Sequence, residues 1–215
     1  MAFQDCDWKG VFMQMTRKVS PCLPDNSPPL LCPKLGTVFL AHQNPWFKVM
    51  SRGSYYTMEY ERPQVVVLPI LERASMIMVR VRRPLIDDCP LELPAGDSSE
   101  GETPRMAAMR EFKEETGIRI EDPLRFVPEL PVSEMPGRVP VLLSVFSVDV
   151  SQSEFDSRLR HDDEIVSVET ISFAEVVRRL VSGEIYLSCP VAIISRFLLK
   201  TFVDKSIIRD IEADE

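Results

Sequence analysis

Residues 96–118, GDSSEGETPRMAAMREFKEETGI, hold the densest set of side chains able to do chemistry. On a helix of 3.6 residues per turn, Glu111 and Glu115 stand at i and i+4 with Glu114 beside them, so three carboxylates share one side over about one turn. Each like-charge i,i+4 pair costs ~0.2–0.5 kcal/mol. The helix dipole repels acids near the C-terminal end by a further ~0.3–1 kcal/mol each. Arg110 can pair with Glu114 at i+4, and Lys113 lies next in sequence, but Glu111 and Glu115 have no equally obvious partner. A local conflict of this kind tends to mark a functional site. Bound hard cations would resolve it, because Mg²⁺ prefers carboxylate, carbonyl and water oxygens. The competing reading of the bare EFKEE run is a solvated acidic helix face.

Several elements must position these carboxylates. Thr103 is a suitable N-cap, Pro104 fits the first helical position, and Gly117 ends the helix. Met109 and Phe112 can anchor the opposite side in a core, while Ala107 and Ala108 leave the preceding turn slim enough for close approach to the backbone. Before this helix the chain reads as β: residues 46–50, 55–60 and 65–70 are runs of β-branched and aromatic residues. Residues 75–82 alternate, with Met76, Met78 and Arg80 on one face and Ile77, Val79 and Val81 on the other. After it come an apolar run at 139–150 and a second alternating segment at 165–171. A second helix is expected from Ser172, with Glu175 completing a capping box and Gly183 as stop. A third starts near Pro190 and carries Ile193, Ile194, Phe197, Leu198 and Val203. Strands and helices alternate without a regular βαβ repeat, which predicts an α/β fold with a mixed sheet flanked by helices.

The 215 residues suit one domain with an arm or tail. Pro21, Pro24, Pro28, Pro29 and Pro33 predict an extended, helix-free arm, and Val11, Phe12 and Met13 suggest that part of it packs on something. The net charge of −8 argues against nucleic acid as a partner. It leaves room for an enzyme that reaches phosphates through bound cations. The five cysteines form no CxxC pair, and His42 and His161 lie far apart, so neither a disulfide scaffold nor a zinc site is supported. No apolar run reaches the ~18–20 residues of a membrane helix, and the first ten residues lack a signal-peptide pattern. The expectation is a cytoplasmic protein with no membrane partner. There is no G-x-G-x-x-G or G-x-x-x-x-G-K-[ST] phosphate loop.

The carboxylate segment satisfies G-x5-E-x7-R-E-U-x-E-E-x-G-U, U being aliphatic or aromatic, through Gly96, Glu102, Arg110, Glu111, Phe112, Glu114, Glu115, Gly117 and Ile118. In this it resembles the signature of the Nudix hydrolases at every specified position. Upstream, Glu92-Leu93-Pro94-Ala95-Gly96 resembles the ELPAG segment of the ADP-ribose pyrophosphatase, or nucleotide-sugar, branch, and residues 79–84 look like the strand that feeds it. Residues 44–49 resemble an N-terminal strand of related members, and Asp162-Asp163-Glu164-Ile165 with residues 172–185 resemble their acidic loop, strand and helix. The resemblance spans roughly residues 44–203. It implies a Nudix-type α/β/α sandwich with a mixed sheet and an N-terminal β-rich extension. The divisions expected are a proline-rich arm at 1–43, dimerising strands at 44–62, the Nudix domain at 63–203 and an acidic tail at 204–215.

The resemblance also implies roles. Glu111 and Glu115 would be the main ligands of Mg²⁺ or Mn²⁺, with Glu114 adjacent or bridging through water and the Ala95 carbonyl a further ligand. Glu102 and Arg110 would hold the loop to the helix, and Gly96 and Gly117 would supply backbone freedom. The general base would come from the acidic loop, with Glu164 favoured, Asp163 second and Asp162 a neighbour; an ordinary solvated turn is the bland alternative. Arg82 and Arg83 suit phosphate contact, only one of the two pointing inward, with Glu92 alongside as a substrate-contacting residue. Trp46, Phe47, Tyr55 and Tyr56 are candidates to stack on a base, although aromatic residues on strands more often pack in cores.

The expected activity is metal-dependent hydrolysis of a nucleoside diphosphate sugar, ADP-ribose first, by a homodimer acting on a small nucleotide. The branch usually carries a proline 16 residues beyond the box, where this chain has Ser133, flanked by Pro131 and Pro136 in a loop read at residues 127–140. Two other readings therefore stand: hydrolysis of a dinucleotide or coenzyme derivative, and a non-catalytic nucleotide-binding module, which would usually have lost a box glutamate.

Overall fold

The computed structural model describes residues 38–60 and 62–213, with side chains through Thr201. The expectations for Val11, Phe12, Met13 and the prolines before residue 38 lie outside the described residues.

Two sheets form. The first is antiparallel in the order β1-β2-β3, from β1 (Val38–Gln43), β2 (Phe47–Arg52) and β3 (Tyr55–Tyr60). The Asn44 side chain accepts hydrogen bonds at 2.9 Å from the backbone N–H groups of Trp46 and Phe47, fixing the β1–β2 turn. Gly53, at φ 63°, makes the β2–β3 turn. Arg52 and Glu59 form a bidentate pair at 2.6 and 2.9 Å, and Thr57 donates to the same carboxylate at 2.7 Å. Strand β1 falls inside the segment read from sequence as an arm. The prolines that suggest an arm stop at Pro33, and residues 38–43 carry none.

The second sheet has the path β10-β5-β4-β9-β8. Its members are β4 (Gln64–Leu71), β5 (Ser75–Val81), β8 (Val127–Val132), β9 (Leu143–Val150) and β10 (Ile165–Ser172), with the short β6 (Leu91–Glu92) and β7 (Ala95–Asp97) off the path. β4 and β9 run parallel and the other pairings are antiparallel, so the sheet is mixed. Alternation sends Val66, Leu68, Ile70, Met76 and Met78 to one face and Val65, Val67 and Ile77 to the other. Helix α1 (Pro104–Thr116) covers the second face through Ala107, Ala108 and Phe112. Helices α3 (Phe173–Ser182) and α4 (Ser188–Ala213) cover the first through Val176, Ile193, Ile194 and Leu198. The result is the expected α/β/α layering. The alanines of α1 serve contact with the sheet, not access for a ligand.

One irregularity builds the site. β4 and β5 pair only at Ile70–Met76 and Leu71–Ser75 and then diverge. The chain after β5 returns into the fork: β6 pairs with β5, β7 pairs with β4, and Val67 N–H bonds the Pro94 carbonyl at 2.8 Å. Residues 91–97 are thereby wedged between two central strands.

The structure corrects other details. Residues 127–132, read as loop, form an edge strand, where proline is tolerated because one side needs no ladder bonds. The apolar run at 139–150 becomes strand only from Leu143. A short helix α2 (Gln152–Asp156) carries the reciprocal capping box, between Ser151 and Glu154. At Ser172 only half a box forms, because the Glu175 carboxylate pairs with Arg178 and Arg179. Helix α4 begins two residues before Pro190, and its backbone stays helical to Ala213, through most of the segment read as a tail. Among the described residues no helix is long and apolar enough to cross a membrane.

Candidate active site

Helix α1 starts as expected. Thr103 is the N-cap, its hydroxyl accepting from Met106 N–H at 3.3 Å, and Pro104 opens the helix. Gly117 closes it at φ 73°, its N–H bonded to the Lys113 carbonyl at 2.8 Å. Phe112 is buried and meets Phe126 edge-on at 5.9 Å, which sets the rotation of the helix and turns the three glutamates to the opposite side.

Arg110 organises that side. Its guanidinium donates to Glu102 at 3.1 and 2.9 Å, to Glu111 at 2.7 Å, to Glu114 at 2.9 Å and to the Asp97 carbonyl at 2.8 Å. Glu102 in turn accepts from Ser99 N–H at 2.8 Å, and its carboxyl is held below the usual range, first by Arg110. One arginine therefore ties the loop of residues 97–102 to the helix. The adjacent residue thus supplies the partner that sequence reasoning did not find for Glu111, through a fork that i,i+4 counting overlooks. Burial still pushes Glu111 above the usual carboxylate range, against the pull of Arg110.

Among the described residues Glu115 makes no salt bridge, Arg83 acting on it only at longer range. Its carboxylate accepts from Ala95 N–H at 3.0 Å. Burial pushes it up to about 8, with Glu111 and Glu92 adding to the rise and the Ala95 bond opposing it. Gly96 stands so close to Glu111 that a Cβ there would overlap the carboxyl group. The glycine of the signature is thus a contact with an acid as well as a flexible joint. The wedge of residues 91–97 and the acids of α1 are held face to face.

The acidic loop docks on the end of the same helix. Leu159 N–H bonds the Gly117 carbonyl at 2.8 Å, and Asp162 N–H bonds the Glu114 carbonyl at 2.9 Å. Asp163 is exposed and paired with Arg160 at 2.5 Å. Glu164 is exposed, and its carbonyl accepts from Arg82 N–H at 3.1 Å. Asp162–Glu164, Arg82, Arg83 and Glu115 therefore belong to one neighbourhood. Of the two arginines, Arg83 lines a cavity of about 340 Å³ beside the wedge, while Arg82 does not. Arg83 is already bidentate to Glu92 at 2.7 and 2.8 Å, which raises its pKa further.

The aromatic candidates are not brought together. Trp46 is 74% exposed, Tyr55 and Tyr56 are also exposed, and neither they nor Phe47 line the cavity. The aromatic that does is Tyr60, the last residue of β3. Glu134 and Cys189, also unforeseen, join it. Their signal was faint: Glu134 sits in a proline-rich loop, and Cys189 at the start of a helix.

The donor set fits divalent cations chemically, being oxygen throughout, with an uncompensated carboxyl at Glu115. As the side chains stand, no group of three or more His, Cys, Asp or Glu is arranged to hold an ion among the described residues. The Arg110 fork holds Glu111 and Glu114, so ligation by these two requires that they share or leave it.

An α/β/α sandwich with a glutamate-bearing helix facing a backbone wedge and an acidic loop defines the class. The sequence matches the NUDIX domain over residues 61–187, and the chain belongs to that family, whose members generally use divalent metal ions. It is similar to an ADP-ribose pyrophosphatase of Bacillus subtilis (strain 168), 27% identical over 122 residues, covering 57% of this chain and 64% of the relative. A mouse (Mus musculus) ADP-sugar pyrophosphatase is 43% identical over 61 residues, covering 26% of this chain and 28% of the relative. The chain thus aligns with less than two thirds of either relative's length. The fold resembles a crystal structure of an ADP compounds hydrolase at a TM-score of 0.61 and 18% identity, covering 84% of this chain and 96% of that one.

Proposed function

We propose that the chain hydrolyses the diphosphate linkage of a nucleoside diphosphate sugar, ADP-ribose to AMP and ribose 5-phosphate being the leading assignment. The observation that carries it is the convergence on one helix of Glu111, Glu114 and Glu115, the Ala95–Gly96 backbone and the acidic loop. The names of the similar pyrophosphatases support the substrate class.

In this reading Glu111 and Glu115, with Glu114 and the Ala95 carbonyl, would hold Mg²⁺ or Mn²⁺. Cations held there would supply charge neutralisation of the diphosphate and a lowered pKa for the attacking water. Glu164, with Asp163 second, takes the water proton as the new phosphorus–oxygen bond forms and the bridging oxygen departs. Arg83 can turn from Glu92 toward a phosphate, and Arg82 stands nearby. Two chains form a homodimer through the N-terminal sheet.

Product analysis with ADP-ribose and Mg²⁺ tests this. Glu115→Gln keeps the shape and removes the charge, and turnover should fall ~10²-fold or more, since even an outer change at a metal site costs 10–100-fold. An active Glu115→Gln protein at ordinary Mg²⁺ would remove the assignment. Glu164→Gln should lower kcat with KM nearly unchanged, because a base acts in the transition state. If Asp163→Asn shows that pattern instead, the base is Asp163.

A further inference from the structure

The cavity beside the wedge carries a charge pattern that the hydrolytic chemistry does not require. Its charged lining consists of Arg83, Glu92, Asp97 and Glu134. The one cation among them, Arg83, is paired with Glu92 by two hydrogen bonds, at 2.7 and 2.8 Å. Asp97 and Glu134 then leave the lining net negative. The rest is uncharged: Tyr60 and Gln64 offer polar groups, and Leu93, Leu143, Cys189 and Pro190 offer apolar or weakly polar surface.

Two other groups, and Glu134 itself, are shifted upward first by burial and then by the neighbouring acids. Burial raises the Cys189 thiol to about 12, with Glu134 and Glu92 adding to it. Burial raises the Tyr60 phenol, with Glu134 and Asp97 adding to it. Glu134 is exposed as a residue, yet desolvation of its carboxyl pushes it upward too, with Glu92 second. Glu134 sits in the loop after β8, on a separate element from the glutamates of α1.

We propose that this cavity selects substrates by charge: it takes the uncharged, hydroxyl-bearing group on one side of the diphosphate and excludes a group carrying a further phosphate, with Glu134 the main determinant. The inference rests on the diphosphate-hydrolase reading and narrows its substrate class. A volume of about 340 Å³ is within the range of small-ligand pockets. Carboxylates accept hydrogen bonds from sugar hydroxyls and base amino groups. The same carboxylates repel a phosphate monoester at close range in a partly desolvated pocket. Like-charge rejection of this kind is how a site discriminates between substrates that share the reacting group.

The test compares kcat/KM, with Mg²⁺ and products separated by anion exchange, for ADP-ribose and two derivatives. One carries an added phosphate on the adenosine 2′-hydroxyl and the other on the 1-hydroxyl of the terminal ribose. At least one derivative should fall tenfold or more, mainly through KM. In Glu134→Gln that penalty should shrink at least threefold, and in Glu134→Lys it should shrink further. A penalty below tenfold for both derivatives overturns the proposal, as does a penalty that both variants leave unchanged. If ADP-ribose itself is not cleaved, the hydrolase reading fails, and that result is distinct from cleavage without selectivity.

Discussion

Gly117 meets two demands at once. Its φ of 73° is the left-handed conformation that ends α1, and a Cβ there would also overlap the backbone carbonyl of Leu159. The second demand belongs to the acidic loop, which reaches this glycine through the Leu159 N–H bond to its carbonyl at 2.8 Å. Gly183 provides the control: it ends α3 at φ 77° with nothing near the place of a Cβ. Gly183→Ala should cost about 1 kcal/mol from left-handed strain alone and leave turnover near parental. Gly117→Ala should cost more in urea unfolding and lower kcat tenfold or more, because it displaces the loop that bears Glu164. Equal stability losses and equal turnover in the two variants would show that the loop contact is incidental. The sequence revealed Gly117 as a helix stop, since a glycine after a periodic run announces itself. It could not reveal the contact with Leu159, because nothing local at either residue encodes it. Arg110 shows the same limit in part: i,i+4 spacing exposes Glu114 and the family resemblance implies the tie to Glu102, whereas the bond to the neighbouring Glu111 falls outside i,i+4 counting and the one to the Asp97 carbonyl depends on how the preceding loop folds back.

At the scale of elements, the short helix α2 is held by Arg125, which binds Glu154 through both carboxylate oxygens and donates to the Asp149 carbonyl at 2.6 Å. Glu154 also completes the capping box with Ser151. These bonds, Arg125 foremost, hold the Glu154 carboxyl down at about 2 from an ordinary 4.5. A folded-state pKa below the unfolded value means that the stabilisation is fully present above about 4.5 and is lost as pH falls toward about 2. Glu154→Gln imitates the protonated acid. Its deficit in urea unfolding should be about 1 kcal/mol at pH 7, once solvent screening of this partly exposed pair is allowed for, and should close toward zero near pH 2. A deficit independent of pH would show that shape, not charge, matters there. Sequence reading caught the long elements, whose periodicity repeats over several turns, and missed β1, β6, β7, β8 and α2. The two shortest strands form only because β4 and β5 diverge and leave a gap, which is a tertiary cause. β8 was obscured by Pro128 and Pro131, which an edge strand tolerates and a central one would not.

For the molecule as a whole, the three-stranded sheet poses the remaining question. Val38, Phe39 and Leu40 of β1 are 40, 57 and 51% exposed, and Tyr55 and Tyr56 are exposed on β3. Among the described residues β1 is also the edge strand of its sheet, with no strand paired on its outer side. Among the described residues, the backbone bond that ties this sheet to the rest is Met58 N–H to the Arg138 carbonyl at 2.7 Å. A small sheet with an apolar edge is marginal unless something packs on it. The homodimer proposed above would place a second copy there, and symmetric pairs are the commonest oligomers. A stable interface of this kind buries about 1,200–2,000 Å² in total, so one charge at its centre should weaken it severely. Sedimentation equilibrium at micromolar concentration should give twice the chain mass of 24.5 kDa. Phe39→Arg should shift the equilibrium toward monomer and, because Tyr60 of the same sheet lines the cavity, raise KM more than it lowers kcat. A parental mass near 24.5 kDa, unchanged by nucleotide and Mg²⁺, would exclude the dimer and leave the sheet to be covered from within its own chain.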